Sequence, residues 1–297
     1  MATAFLRFTI IEAPSVLGLF PKGVEMLPDA LLAAGFGDGL QALHAGRVEP
    51  PQYEDRRDPE TKLLNPRGIA SYSVALADVV GRAINDGDFP IVLGGDCSIM
   101  LGCLLALRRR GRYGLLFLDG HADFYQPEVE PNGEVASMEL AIATGRGPAV
   151  VSDLEGRRPL VQDQDVVAFG YRDGEYAAAH GSQRIEHSAI DVIDLAEVRK
   201  RGMGEAIHHG IQMLSQPQIA GFWVHLDADV LDDAVMPAVD YRMPGGLSWG
   251  ELTKVLQAAI GSGRAVGLDI TIFNPKLDED GTIAAAFVDA LIKGLRS

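Results

Sequence analysis

FPIVLGGDCSIMLG, residues 89–102, is the stretch that decides the fold class. The apolar run Phe89–Leu93 reads as a buried strand, Gly94 and Gly95 as a tight turn, and the residues that follow as a helix. Ser98 is the expected N-cap of that helix, Ile99 to Leu107 its apolar body, and Arg108, Arg109, Arg110 and then Gly111 a cation-rich end with a glycine stop. The same strand-turn-helix spelling recurs at RFTIIEA, GLLFLDG, DVVAFGYRD, IDVIDL, GFWVHLDAD and AVGLDITIF. Strands that alternate with helices, and that are nearly continuous in apolar residues, predict a mostly parallel sheet covered by helices on both faces. Further on, Ser248 and Glu251 spell a capping box ahead of LTKVLQAAI, with Gly261 as its stop. The stretch from Tyr125 to Pro148 is irregular and long enough to read as a functional loop.

Bulk composition narrows the partners. A chain of 297 residues with 47% apolar content can bury a sizeable core, and no segment reads as a linker. Lys and Arg total 26 against 41 Asp and Glu, a net charge of −15, which argues against nucleic acid or an anionic membrane surface as partner. Only Cys97 and Cys103 are present, the opening MATAFLRFTIIEAPSV lacks a basic region followed by a long apolar stretch, and no apolar run approaches transmembrane length. The expectation is a cytoplasmic protein without structural disulfides. Cys103 falls inside the helix and reads as core.

The acidic excess is partly local. FLDGHADF holds Asp119, His121 and Asp123, and HLDADVLDD holds Asp227, Asp229 and Asp232, both directly after apolar runs. Carboxylates crowded at buried strand ends repel one another and lose hydration, a conflict that a cation removes. Residues i and i+2 of a strand share a face, so Asp119, His121 and Asp123 can point together, as can Asp227 and Asp229, with Cys97 as a sixth donor. Such a set suits two divalent ions roughly 3.5–4 Å apart that activate a water between them. Its oxygen-rich character favours manganese over zinc.

At this point the chain resembles the ureohydrolases, the family of arginase, agmatinase and formiminoglutamase. The resemblance runs almost end to end, through KGVEMLPDALLAAGF, GGDCS, DGHAD, GYRD at 170–173, DADVLDD, PGGLS at 244–248 and GLDITIFNP at 267–275. It implies a single domain over residues 1–297, a three-layer α/β/α fold around about eight parallel strands, a small-molecule substrate, and assembly as a homo-oligomer, a trimer or hexamer. By position it places the first metal on Cys97, Asp119, Asp123 and Asp227, and the second on Asp119, His121, Asp227 and Asp229. Cys97 stands where most relatives carry a histidine. A thiolate is softer, so the first site should take manganese less well and iron, cobalt, nickel or zinc better. The other reading of Cys97 is a packed thiol.

Three further positions depart from the arginase pattern. The stretch GEVASMELA puts Ala136 at or near the place of a proton-shuttling histidine, leaving Glu134 and Glu139 as nearby carboxylates that can replace it, each otherwise a surface or capping residue. Ile272 in DITIFNP replaces the glutamate that pairs with a guanidinium. Tyr125 and Gln126 occupy the place of an Asn-Thr pair that holds the amino-acid end of arginine. Asp123 and Glu134 are therefore the catalytic candidates, and Tyr125 and Glu175 the substrate-binding ones. Asp173 reads as a structural partner of Arg172, His225 as alternating away from the Asp227 face and so as core or a residue behind the ligands, and His208 and His209 as surface. The implied activity is binuclear, metal-dependent hydrolysis of a C–N bond in a guanidino compound, including a hydroxyguanidine such as hydroxy-arginine. An amidine or amide hydrolase of the same fold and a metal-binding protein without catalysis are the alternatives.

Overall fold

A computed structural model describes residues 6–296; residues 1–5, where the stretch read for a targeting signal begins, and residue 297 lie outside the described residues. Among the described residues, eight strands form one sheet: β1 (Phe8–Ala13), β2 (Leu43–Arg47), β3 (Phe89–Gly94), β4 (Gly114–Leu118), β5 (Val166–Phe169), β6 (Asp191–Ile193), β7 (Phe222–Asp227) and β8 (Ala265–Thr271). Their order is β2-β1-β3-β8-β7-β4-β5-β6, and every pairing is parallel.

Strand alternation explains why both faces are covered. In β3, Ile91 and Leu93 enter one core while Val92 enters the other; in β4, Leu116 and Leu118 oppose Leu115 and Phe117 in the same way. The first core is closed by the helices Leu27–Ala33, Trp249–Gly261 and Thr282–Leu295, and the second by Pro66–Asn85 and Met100–Arg108. This is the expected three-layer α/β/α arrangement. β2 was not foreseen, because its side chains are mostly exposed and it joins the sheet edge through backbone pairing with β1. Among the described residues no helix is long and apolar enough to cross a membrane.

The turn after β3 positions the first candidate ligand. A Cβ on Gly95 would lie 1.8 Å from the carbonyl oxygen of Ser15, so only glycine lets the two backbones pass. Asp96, not Ser98, is the cap: its carboxylate accepts the Ser98 N–H at 2.8 Å and starts a tight turn, Cys97–Ile99, before the helix Met100–Arg108. The Ser248–Glu251 capping box forms as expected.

Candidate metal centre

The central strands β3, β8, β7 and β4 deliver their carboxyl ends to one crevice, the position at which open α/β sheets bind ligands. Cys97 follows β3, Ile272 follows β8, Asp227 ends β7 and Asp119 follows β4. Convergence here comes from turns rather than from strand alternation. β4 stops at Leu118, and Asp123 takes a left-handed φ of 43°; beyond Asp227 the chain enters a short 3-10 turn, Ala228–Val230. Backbone donors lock the acids: the His121 N–H donates to Asp119 at 2.6 Å, the Gly120 N–H to Asp229 at 3.0 Å and the Asp229 N–H to Asp227 at 2.7 Å.

Among the described residues two groups of donor atoms form, and they share Asp119. One joins Asp119, His121 and Asp229, with His121 Nδ1 at 2.9 Å from an Asp229 oxygen. The other joins Cys97, Asp119, Glu139 and His225, all buried. Asp227 lies against both, because its Oδ2 is 2.9 Å from Cys97 Sγ and its Oδ1 accepts the Asp229 N–H. Several of these atoms have no protein partner: Asp119 Oδ2, both Glu139 oxygens and His225 Nε2 are buried and unbonded. Buried polar atoms are almost always satisfied, so a cluster of orphans facing one another fits divalent cations.

Glu139 and His225 are the residues that sequence reasoning misplaced. Glu139, expected as a surface or capping residue if it did not replace the shuttle histidine, is fully buried at the start of the short helix Glu139–Ala143, where it makes no cap hydrogen bond. His225 lies two residues before Asp227 on β7 and shares its face, instead of pointing away from it. Its Nδ1 is held by Asp269 of β8, directly opposite in register, and its ring stacks on Phe117 at 5.0 Å.

Charge and burial oppose one another throughout the cluster. Burial, reinforced by neighbouring carboxylates, pushes Asp119 and Asp123 well above the usual carboxylate range; burial also raises Asp227 and Glu139, and it raises the Cys97 thiol. Asp229 is the exception, because the charge and hydrogen bond of His121 outweigh burial and hold it low. Burial pushes His121 down, yet Asp229 leaves it raised. The raised acids retain protons in the folded state where the unfolded chain has lost them. Their stabilising contribution is fully present below the ordinary carboxylate range of about 4 and is lost as pH rises through the raised values. The raised His121 acts in the same direction, and the lowered Asp229 acts in the opposite one. Chelator-treated protein is therefore expected to melt at higher temperature near about pH 5 than near about pH 8, with added divalent ion recovering the loss. A metal-free melting temperature that climbs across that interval contradicts this account.

Above the donors opens a cavity of about 660 Å³ whose lining includes His121, Asp123, Tyr125, Glu134, Ala136 and Ile272. Part of the Tyr125–Pro148 stretch, from Tyr125 to Ser137, supplies one wall. Glu134 is buried, not exposed, and its carboxylate accepts the Tyr241 hydroxyl at 2.8 and 3.0 Å. Burial raises its pKa, and burial likewise pushes Tyr125 up to about 12. Glu175 does not reach the cavity. It is an exposed residue of the helix Gly174–Ala179, engaged by Arg184 at 2.9 and 3.1 Å, and its neighbour Tyr176 lines the cavity in its place. Nor do Arg172 and Asp173 act on each other: Arg172 donates to the carbonyls of Asp229, Leu231, Met243 and Pro244, while Asp173 accepts the Ala122 N–H. Cys103 is core, His208 is exposed, and His209 pairs with Asp191 at 2.8 Å.

Known proteins are similar to this one over nearly its whole length. The arginase of Staphylococcus aureus strain COL is 29% identical over 283 residues, covering 93% of this chain and 92% of its own. The arginase of Bacillus subtilis strain 168 is 28% identical over 294 residues, covering 96% and 97%. Among solved structures, the arginase of Bacillus caldovelox superposes with a TM-score of 0.87 at 26% identity, covering 99% of each chain. The Arginase family profile itself matches residues 6–294, from the first residue of the described fold to the last turn of its final helix, and the chain belongs to the arginase family.

Proposed function

We propose that the chain is a binuclear, metal-dependent hydrolase of a C–N bond in a guanidino-type compound, with a hydroxyguanidine as the first substrate to test. The observation that carries this reading is the set of buried, mutually repelling acids and orphaned donors at the floor of an open cavity. The residues proposed to hold two divalent ions are Cys97, Asp119, His121, Asp123, Asp227 and Asp229, with manganese foremost for the site built on His121 and Asp229. Bound there, two divalent ions supply a water activated at neutral pH and a positive field over the carbon under attack.

The chain's own residues do the rest. Asp123, at the cavity wall, orients the attacking group through its carboxylate. Glu134, raised by burial and bonded to Tyr241, holds a proton at a carboxylate oxygen and delivers it to the leaving nitrogen. Tyr125 contacts the remote part of the substrate. Ile272 offers no charge, so a substrate whose reacting group is a weaker base than a plain guanidinium suits this floor better, because an unpaired buried cation is costly. The same residue favours a second reading, an amidine or amide hydrolase. The proposal further takes the chain as one cytoplasmic domain that assembles as a trimer or hexamer.

The deciding experiment is release of urea or hydroxyurea from a panel of guanidino and hydroxyguanidino compounds, using protein reconstituted in turn with manganese, cobalt, iron and zinc. Release from any of them supports the reading. Ammonia from amidines or amides alone selects the second one, and no product from any substrate with any metal overturns both.

A further inference from the structure

The donor atoms do not reproduce the ligand set that the family resemblance implies for the first metal. The group that Cys97 forms with Asp119 brings in two donors outside that set, Glu139 and His225, while Asp227 also stands 2.9 Å from Cys97 Sγ. We propose that a Glu139 oxygen and His225 Nε2 join Cys97 Sγ and Asp119 on one ion, as ligands beyond those named above, and that the resulting sulfur and nitrogen donors select zinc or cobalt over manganese there. The inference rests on the metal-hydrolase reading only for the existence of a second, neighbouring ion.

Four observations carry it. First, the four donors lie within 4.8 Å of one another, and His225 Nε2 stands 3.9 Å from Asp119 Oδ2. Bonds of about 2.0–2.3 Å in a tetrahedral zinc site put donors roughly 3.3–3.8 Å apart, so small side-chain adjustments close the site. Second, Glu139 and His225 are 0% exposed, and both Glu139 oxygens and His225 Nε2 lack any partner. A buried carboxylate crowded against other acids, with no donor to either oxygen, is a costly arrangement unless a cation completes it.

Third, His225 is prepared as a ligand. Asp269 accepts from Nδ1 and also from Trp223 Nε1, so the proton sits on Nδ1 and the lone pair of Nε2 faces the cluster. A carboxylate behind a histidine is the usual support of a metal-binding imidazole. Stacking on Phe117, with 18° between the ring planes, fixes the ring's tilt. Fourth, the donor chemistry is coherent. Thiolate and imidazole are the ligands zinc and cobalt prefer, whereas the Asp119, His121 and Asp229 group is dominated by carboxylate oxygen and suits a harder ion. Asp119 would then link two unlike sites.

The test uses the full chain stripped of metal and reloaded with zinc, cobalt or manganese alone, read by elemental analysis after gel filtration and by the visible and near-ultraviolet spectrum of the cobalt form. Wild type is expected to hold two zinc ions, and its cobalt form to show a thiolate charge-transfer band with intense tetrahedral bands. Glu139→Gln should weaken one ion by roughly 100-fold or more, beyond the 10–100-fold that removing a partner behind a ligand costs. His225→Asn, which keeps a donor for Asp269, should do the same, and both variants should retain the other ion. Asp123→Asn should leave the thiolate band in place. Two tightly held zinc ions and an unaltered cobalt spectrum in both Glu139→Gln and His225→Asn overturn the proposal while leaving the hydrolase reading intact. If those variants fail to fold, the wild-type spectrum decides: weak octahedral bands without a thiolate band overturn it. Wild type that binds no ion at all defeats both readings together.

Discussion

Asp119→Asn is expected to leave the protein with no tightly held ion at either site and no measurable C–N hydrolysis. Asp119 is the one residue common to both donor groups. Its Oδ1 accepts the His121 N–H while its Oδ2 is buried without a partner, so one oxygen fixes the loop and the other is free to ligate. An amide in its place keeps the size, loses the negative charge, and can aim its NH₂ at a cation. Removing a partner behind a ligand costs roughly 10–100-fold in metal affinity, and losing a shared ligand should exceed that at both sites at once. The same change should raise the stability of the metal-free protein near about pH 8, since one of the mutually repelling buried acids is gone. Metal content by elemental analysis, urea release and thermal melting with chelator are the three measurements. Two ions per chain in the variant would refute the shared role.

That opposition between metal-free stability and metal binding also explains which parts of the molecule the sequence made legible. Strands β3, β4 and β7 announce themselves because a buried parallel strand has to be apolar on both faces, and the several acids crowded after β4 and β7 exceed what turns and caps require. β2 carries no such pattern: its side chains face solvent, and Arg47 and His44 engage Glu12 instead of a core. Glu139 was hidden for the opposite reason, since an acid in the first turn of a helix is common and needs no special explanation. What could have exposed it is the rest of its helix, Leu140 to Ala143, which has no polar residue to face water, so that the whole turn had to be buried. His225 was legible from parity with Asp227 and from Asp269, its register partner on β8. Glu175 shows the limit of motif spacing: one helical position separates an exposed ion pair from the cavity-lining Tyr176.

Ile272→Glu is expected to change which substrate is taken without removing the metals. Ile272 is buried at the cavity floor with φ of 71°, a left-handed conformation that a β-branched residue rarely adopts. Its N–H donates to the Gly95 carbonyl at 2.8 Å, which ties it to the turn carrying Cys97 and holds the strained backbone in place. The side chain is thus aimed into the crevice by the fold rather than by its own preference, and a glutamate there should be aimed the same way. Its carboxylate gives a guanidinium the charge-assisted partner that isoleucine cannot, worth roughly 1.5–3 kcal/mol, or about 10- to 150-fold in discrimination. The ratio of kcat/KM for a plain guanidino compound over its hydroxyguanidino counterpart should rise by that factor. In the absence of metal and substrate the added acid joins Asp119, Asp123 and Asp227 in a buried group of like charge, so the metal-free variant should melt lower than wild type at neutral pH. Parallel kinetics on the two substrates, with metal content measured on the same samples, provide the check. An unchanged ratio at full metal occupancy means that position 272 does not face the reacting group, and the apolar floor then has no part in choosing the substrate.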